Sequence, residues 1–269
     1  MLAFIIPVKS KTVTSDWTHF SNLVNRCISS LCNQANKDFK ILVACHEIPI
    51  TDFNNDSRVE FLQADFPSPI LQKNADDKWL KEFDKGKKLK LAAAHAITIG
   101  ASYVMTVDSD DCISNKISGF VAKNKDHSIL GWYVKKGYLY REGKSYAFLN
   151  LKNYNTLCGS SVIIKPAQID LMYSKEFWFK HERISFKDNL SLVPIPFPGS
   201  LYSLANGTNI VSSRKEMKIR TTYNPSKLDS LKTLFRRLSK YIIVPTFLIK
   251  NEFNLTRVHL NSDSVDDTN

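Results

Sequence analysis

Residues 102–111 read SYVMTVDSDD, a hydrophobic strand that runs without a break into Asp108, Ser109, Asp110 and Asp111. Upstream of it, residues 86–99 place Leu89, Ala92, Ala93, Ala96 and Ile97 on one helical face, and Gly100 stands where a helix would end. Before that helix a polar stretch from Asp65 to Asp84 reads as a long loop with room for a short helix. Further back, RVEFLQ at 58–63, FKILVAC at 39–45 and AFIIPV at 3–8 read as strands. Trp17, Phe20, Leu23, Val24, Cys27, Ile28 and Leu31 recur at helical spacing behind the capping candidates Ser15 and Asp16. Strands alternating with helices predict an α/β layer structure with a mostly parallel sheet, whose ligands bind beyond the carboxyl ends of the strands. The acidic turn lies at such an end.

After residue 128 the pattern changes to short β-rich runs, ILGWYVKKGYLYR, SYAFLNL and SSVIIK, with a helical segment near 167–178. From 214 to 250 ten Lys or Arg face two acidic residues. Within 226–250, Leu228, Leu231, Leu234, Phe235, Leu238 and Ile242 share a helical face, so a basic amphipathic helix is expected there.

The 269 residues are 43% apolar, enough for a large core, and carry a net charge of +11, which favours an anionic partner. Nine glycines exclude collagen-like and glycine-rich repeat architectures. Five scattered cysteines without a C-x-x-C pair point to neither a zinc ribbon nor a disulfide framework, so a reducing compartment is the default. The start MLAFIIPV lacks the basic residues and cleavage site of a signal peptide, and no apolar run reaches the roughly 20 residues of a membrane span. A cytoplasmic protein is expected, soluble or peripheral on the inner face of the cell membrane.

Three carboxylates packed into VDSDD repel one another unless a cation is present. Mg²⁺ or Mn²⁺ takes oxygen ligands and commonly uses only one or two protein carboxylates, with phosphate and water completing the shell. A metal–diphosphate site is one reading. The other is an Asp-rich turn in which Asp111 and Ser114 cap a helix near 115–123.

FIIPVKS at 4–10, NRCISSLCNQ at 25–34, FKILVACHE at 39–47 and SYVMTVDSDD follow in an order and spacing that resembles the family-2-like GT-A glycosyltransferases, over about the first 120 residues. The resemblance implies a GT-A fold with a single Rossmann-like nucleotide-binding layer. Its catalytic domain would span 1–213, with a donor-binding half at 1–120 and a β-rich acceptor half at 121–213. A basic helical extension at 214–260 and a disordered tail at 261–269 would follow. It further implies a nucleotide-sugar donor, UDP-sugar first with GDP and dTDP open, a saccharide or lipid-linked glycan acceptor, and bound Mn²⁺ or Mg²⁺. Nucleic acid is not an expected partner. The basic segment 226–250 would rest on an anionic membrane or pack on the domain.

Carried over by that match, Asp110 is the direct metal ligand and Asp108 contacts ribose or metal-bound water. Pro7, Val8 and Ser10 form the first donor loop, and Asp65 lies where base contacts are usual. Where relatives have Asp-Asp-Gly-Ser after the second strand, this chain has Ala44-Cys45-His46-Glu47, so Glu47 or His46 would stand in. In DKGKKLK at 84–90, Lys88 is the expected cation for the leaving diphosphate; a solvated lysine-rich face is the plain alternative. Gly159 and Ser160 in LCGSSVIIKP would border the acceptor pocket or form a turn between strands, and Trp132 with Tyr133 would stack on an acceptor sugar or lie in the core. Glu182 in FWFKHER is the expected base, His181 an alternative base or metal neighbour, and Glu176 and Asp188 competitors. Inversion of configuration follows from the resemblance alone. YSLANGTN at 202–209 looks like a loop closing over donor or metal, although Asn206-Gly207 is first of all a turn signal.

Two other functions compete. A sugar-phosphate nucleotidyltransferase shares the layer architecture, but FIIPVKSKTVT lacks the glycine-rich phosphate loop such enzymes begin with. A non-catalytic basic protein binding membrane or nucleic acid on a decayed transferase fold would use the cationic stretch, yet the acidic turn is intact.

Overall fold

In a computed structural model, which describes residues 1–70, 77–125, 129–173, 192–208 and 240–258, the first strand β1 (Leu2–Pro7) is buried along its whole length. Leu2, Phe4 and Ile6 enter one apolar core and Ala3 and Ile5 another, following the two-residue period of a strand. On one side β1 pairs parallel with β2 (Phe39–Cys45), which pairs parallel with β3 (Val59–Gln63). On the other side it pairs parallel with β4 (Tyr103–Thr106).

Helices cover both faces. Between β1 and β2, α1 (Trp17–Cys32) packs Phe20, Val24, Cys27, Ile28 and Leu31 into the first core. Its start is fixed by Asp16, whose carboxylate accepts the His19 amide at 2.8 Å. Between β3 and β4, α2 (Asp77–Thr98) packs Leu89, Ala92, Ala93 and Ala96 into the second core. It ends in a Schellman arrangement: Gly100, at φ +73°, donates to Ile97 O, and Ala101 donates to Ala96 O. This helix begins inside the stretch read as loop, because Lys, Glu and Leu favour helix there and the Asp84–Lys88 pair spans one turn. Ile97, expected on the buried face, is half exposed. The alanines narrow the face that meets the sheet.

Beyond the acidic turn come β5 (Cys112–Ile113) and α3 (Ile117–Lys123), which adds Ile117 and Val121 to the first core. α3 has no side-chain cap, so Asp111 does not serve as one. The β-rich half supplies β6 (Gly131–Tyr133), β7 (Gly137–Arg141), β8 (Tyr146–Asn150), β9 (Val162–Ile164), β10 (Leu192–Pro194) and β11 (Ser200–Leu204). The helical segment expected near 167–178 is a 3₁₀ turn at Pro166–Met172, and its remainder from 174 lies outside the described residues.

A seven-stranded sheet runs β10-β6-β9-β4-β1-β2-β3, parallel except for β9, which is antiparallel to both neighbours. The α/β class with a mostly parallel central sheet is therefore the observed one, in keeping with a GT-A-like layout. A second sheet, completed by β12 (Tyr241–Pro245), runs β12-β8-β7-β11-β5. Its last strand, β12, pairs antiparallel with β8 and leads into α4 (Thr246–Phe253).

That last pair corrects the C-terminal expectation. Most of the anticipated amphipathic helix lies outside the described residues, but it does not run through to 250. β-branched Ile242, Ile243 and Val244 make a strand, and Pro245, which has no amide hydrogen, sits at the cap of α4. Ile249 and Phe253 of α4 pack against Cys112, Tyr138 and Leu201, so 240–258 belongs to the body of the fold and not to a separate extension. Trp132 is likewise corrected: it is 2% exposed and packs on Tyr103 and Phe120, as core and not as a sugar platform. Among the described residues no helix is long and apolar enough to cross a membrane.

Candidate functional site

The acidic turn forms where β4 ends and the chain crosses from the first sheet to the second. Its three carboxylates have different surroundings. Asp111 is fully buried: Cys158 Sγ and Ser160 Oγ donate to Oδ2 at 3.2 and 2.5 Å, and the Ser203 amide donates to Oδ1 at 3.0 Å. Burial first, then Asp110 and Asp108, pushes its pKa well above the usual carboxylate range. This residue is a structural clamp between β11 and the segment before β9.

Asp108 is partly exposed, and Asp110 beside it is buried. Lys85 of α2 pairs with Asp108 at 2.6 Å. Burial disfavours the charge on Lys85, but Asp108, Glu82 and Asp110 outweigh it and hold its pKa above the ordinary lysine value. Asn206 Nδ2 donates to Asp110 Oδ2 at 2.6 Å, and Thr208 Oγ1 donates to the same oxygen at 3.4 Å. Burial, reinforced by Asp108, raises the Asp110 pKa.

Lys9, directly beyond β1, donates to Thr208 O at 3.1 Å and stands 4.7 Å from the Phe20 ring centroid. Burial lowers its pKa to about 8 against the pull of Asp110. Two carboxylates and two lysines therefore gather near the carboxyl ends of the parallel strands β1 and β4, where α/β folds bind ligands.

The loop that carries Asn206 is strained toward the turn. Ala205 and Gly207 have φ of +56° and +75° on either side of it, a conformation that Ala adopts only at a cost of about 1 kcal/mol. Asn206 is buried, and its carbonyl meets His19 Nε2 at 2.8 Å, fastening the loop to α1. Beneath it, Arg26 reaches the Asp110 carbonyl and Ser203 Oγ, each at 3.2 Å, and forms a 2.7 Å ion pair with Glu142. Both side chains of that pair are 1% exposed.

The first donor loop predicted from sequence is held from below. Pro7 and Val8 are buried, and Val8 N donates to Ala44 O at 2.9 Å. Ser10 Oγ donates to Glu47, which also accepts the Lys11 amide at 2.9 Å. Glu47 thus shapes this loop. Asp65 is exposed just past β3 on the same strand-end rim. His46 meets Phe66 O at 2.9 Å.

Ser160 accepts the Asp108 amide at 2.8 Å, and a Cβ on Gly159 would lie 2.7 Å from Asp108 Oδ2. The close approach at Gly159 is therefore that of the Asp108 carboxylate. Lys88 does not reach the turn: it is fully buried against Asp84 at 2.7 Å, near Cys45 and Glu47, and burial lowers its pKa. The lysine at Asp108 is Lys85. Glu182, His181, Glu176 and Asp188 lie outside the described residues.

Sequence reading gave no role to Lys9 or Arg26, counted Lys85 among the ordinary lysines of DKGKKLK, and met Asn206 only as part of a loop closing over donor or metal. Lys85 had a signal: it continues the stripe Leu89, Ala92, Ala96 by one more turn, and that stripe meets the sheet. Lys9 directly follows the strand end. Arg26 stands in NRCISSLCNQ, a stretch that carried the resemblance, but nothing local marks its distant partner Glu142.

Among the described residues no three His, Cys, Asp or Glu side chains converge as a protein-only metal site. Asp108 and Asp110 are the residues that could hold Mg²⁺ or Mn²⁺, in the mode that takes its other ligands from phosphate and water, since each brings carboxylate oxygen and Asp108 raises the Asp110 pKa.

No family model matches the sequence, and no curated protein matches it. Among solved structures the chain is similar to residues 1–349 of S. aureus TarS in complex with UDP-GlcNAc, at 15% identity and TM-score 0.44, over 79% of this chain and 61% of that one. It is similar to the same piece of TarS with UDP at 13% identity and TM-score 0.42, over 76% and 60% of the two chains. S. aureus TarS without that truncation matches at 12% identity and TM-score 0.42, over 76% of this chain and 36% of its own. The chain thus spans about three fifths or less of the length of these neighbours.

Proposed function

We propose that the chain is a glycosyltransferase that moves a sugar from a nucleoside-diphosphate donor, a UDP-sugar in first place, to a saccharide or lipid-linked glycan with inversion. The observation that carries this reading is the meeting of Asp108 and Asp110 with Lys9 and Lys85 at the carboxyl ends of β1 and β4. A diphosphate needs cations; Lys9 and Lys85 are two, and a divalent ion on Asp108 and Asp110 would be a third.

In the proposed reaction the donor lies over the strand ends, with its nucleoside along Ser10, Glu47 and Asp65. Bound Mn²⁺ or Mg²⁺, held by Asp110 and Asp108, would neutralise phosphate charge. Lys85 and Lys9 offset the negative charge that grows on the leaving diphosphate as the anomeric C–O bond breaks. Glu182, or His181 beside it, takes the acceptor hydroxyl proton as that oxygen bonds to the anomeric carbon from the opposite face. Gly159 and Ser160 fix Asp108 from behind, and Asn206 fixes Asp110.

The test is thermal stabilisation by UDP, GDP, dTDP, CDP and ATP, each with and without Mn²⁺, on wild type and Asp110→Ala. A nucleotide at a hundred times its Kd adds about 2.7 kcal/mol to stability. The expected result is a Mn²⁺-dependent shift by UDP that Asp110→Ala abolishes. No shift from any nucleotide would overturn the reading in favour of a non-catalytic basic binding protein.

A further inference from the structure

Among the described residues four large exposed apolar side chains fall within seven residues of chain, at the outer corner of the second sheet. Ile242 and Ile243 stand on the edge strand β12, 48% and 64% exposed, and Phe247 and Leu248 on the first turn of α4, 73% and 64% exposed. Tyr146, opposite Pro245 on the neighbouring strand, is also exposed. The corner is firmly seated, because α4 buries Ile249 and Phe253 in the third core and Thr246 N donates to Ser145 O at 2.9 Å. Folding gains nothing from leaving these side chains in water. Clusters of this kind mark interaction surfaces.

The rim is cationic. Lys144, Lys250 and Arg257 are exposed and Lys240 is half-buried beside Tyr241. Glu252, the acidic residue of this segment, is engaged by Ser114 and Lys116. Apolar tips ringed by lysines match one chemistry, a bilayer surface with anionic headgroups, where the tips enter the acyl boundary and the ammonium groups meet phosphate. A second copy of the chain would bring the same positive rim against this one. A nucleic acid would satisfy the lysines but offer little to Ile243, Phe247 and Leu248.

We propose that the β12–α4 corner docks the protein on an anionic membrane, with Phe247 and Leu248 inserted, Ile242 and Ile243 flanking them on the two faces of the edge strand, and Lys144, Lys240 and Lys250 on the headgroups. The surface uses no residue of the acidic turn and does not rest on the glycosyl-transfer reading. Where both hold, it brings the acidic turn to acceptors that are themselves lipid-linked.

Vesicle flotation of the full chain tests this, using phosphatidylcholine vesicles with and without phosphatidylglycerol, at low and high salt. Wild type should bind the anionic vesicles at least about tenfold more tightly than the neutral ones, and less tightly as salt rises. Phe247→Ser with Leu248→Ser should weaken that binding by about tenfold or more, and Lys250→Glu by a few-fold. Because these side chains are exposed, the melting temperature and any nucleotide-induced shift should stay at wild-type values. Equal vesicle binding by wild type and the double variant would overturn the proposal. So would a concentration-dependent dimer that the double variant dissolves, or tighter binding to duplex DNA than to the anionic vesicles.

Discussion

The two sheets hold the acidic turn by different means. On the first sheet, Asp108 follows directly from β4, and the partners brought to it, Lys85 from α2 and the Ser160 hydroxyl, lie on elements packed against that strand. On the second sheet, Asp110 and Asp111 are gripped by residues about 90 positions away, Ser203 and Asn206, and by Arg26, which reaches across to Glu142. The first arrangement presents charge at the strand ends. The second consumes charge inside the protein and fixes where the first one points.

The largest effect should come from breaking that network. Arg26→Met leaves Glu142 buried without its cation and removes the donor to the Asp110 carbonyl. Breaking a buried pair this way costs about 3–5 kcal/mol, and replacing both partners with apolar residues should recover much of it. Denaturant unfolding of Arg26→Met and of Arg26→Met with Glu142→Leu gives the comparison. A loss below about 1 kcal/mol in the single variant would mean that the pair does not carry the second sheet's grip.

Lys85 and Lys88 sharpen the contrast on a single helix. Lys85→Met removes the cation beside Asp108 and should lower turnover by about 100-fold with stability little changed. Lys88→Met takes the hydrogen-bonded cation from buried Asp84, leaving His46 at 3.8 Å beside it, and should cost about 2–3 kcal/mol of stability while nucleotide binding persists. The opposite pattern, turnover lost in Lys88→Met and kept in Lys85→Met, would return the role to the lysine read from the sequence.

The same contrast explains what the sequence made legible. β1, α1, β2, β3 and β4 follow local rules: period, caps and strand-length apolar runs all sit within a few residues of the feature they decide. The acidic turn was legible for the same reason. Asn206 was hidden because its dipeptide with Gly207 reads equally well as a plain turn, and only the fold brings it to Asp110, 96 positions away. Trp132 was misplaced because an aromatic in a short strand can face core or solvent, and the side is chosen by Tyr103 and Phe120. β12 was read as helix because Ile242 fits a helical stripe as well as a strand, and the pairing with β8 decides between them.

The smallest effect belongs to the local counterpart of Arg26–Glu142. Arg58 lies two residues from Asp56, donates to both of its oxygens at 2.9 and 2.6 Å, and also donates to Cys32 O at 3.0 Å. The Arg58 hydrogen bonds hold the Asp56 pKa down to about 2 from an ordinary 3.8. A depressed carboxylate pKa adds stability that is fully present above the unfolded value and is lost as pH falls through the folded one. The window is therefore pH 4 down to pH 2. Both side chains remain partly exposed, so water and salt reduce the pair to about 1 kcal/mol, well below the buried pair. Asp56→Asn should be less stable than wild type by that amount at pH 7, and the gap should close as the pH falls from 5 toward 2. A gap that holds constant across that range would assign the loss to the acceptor oxygen that Asn cannot offer Arg58 Nη2, and not to the charge of the ion pair.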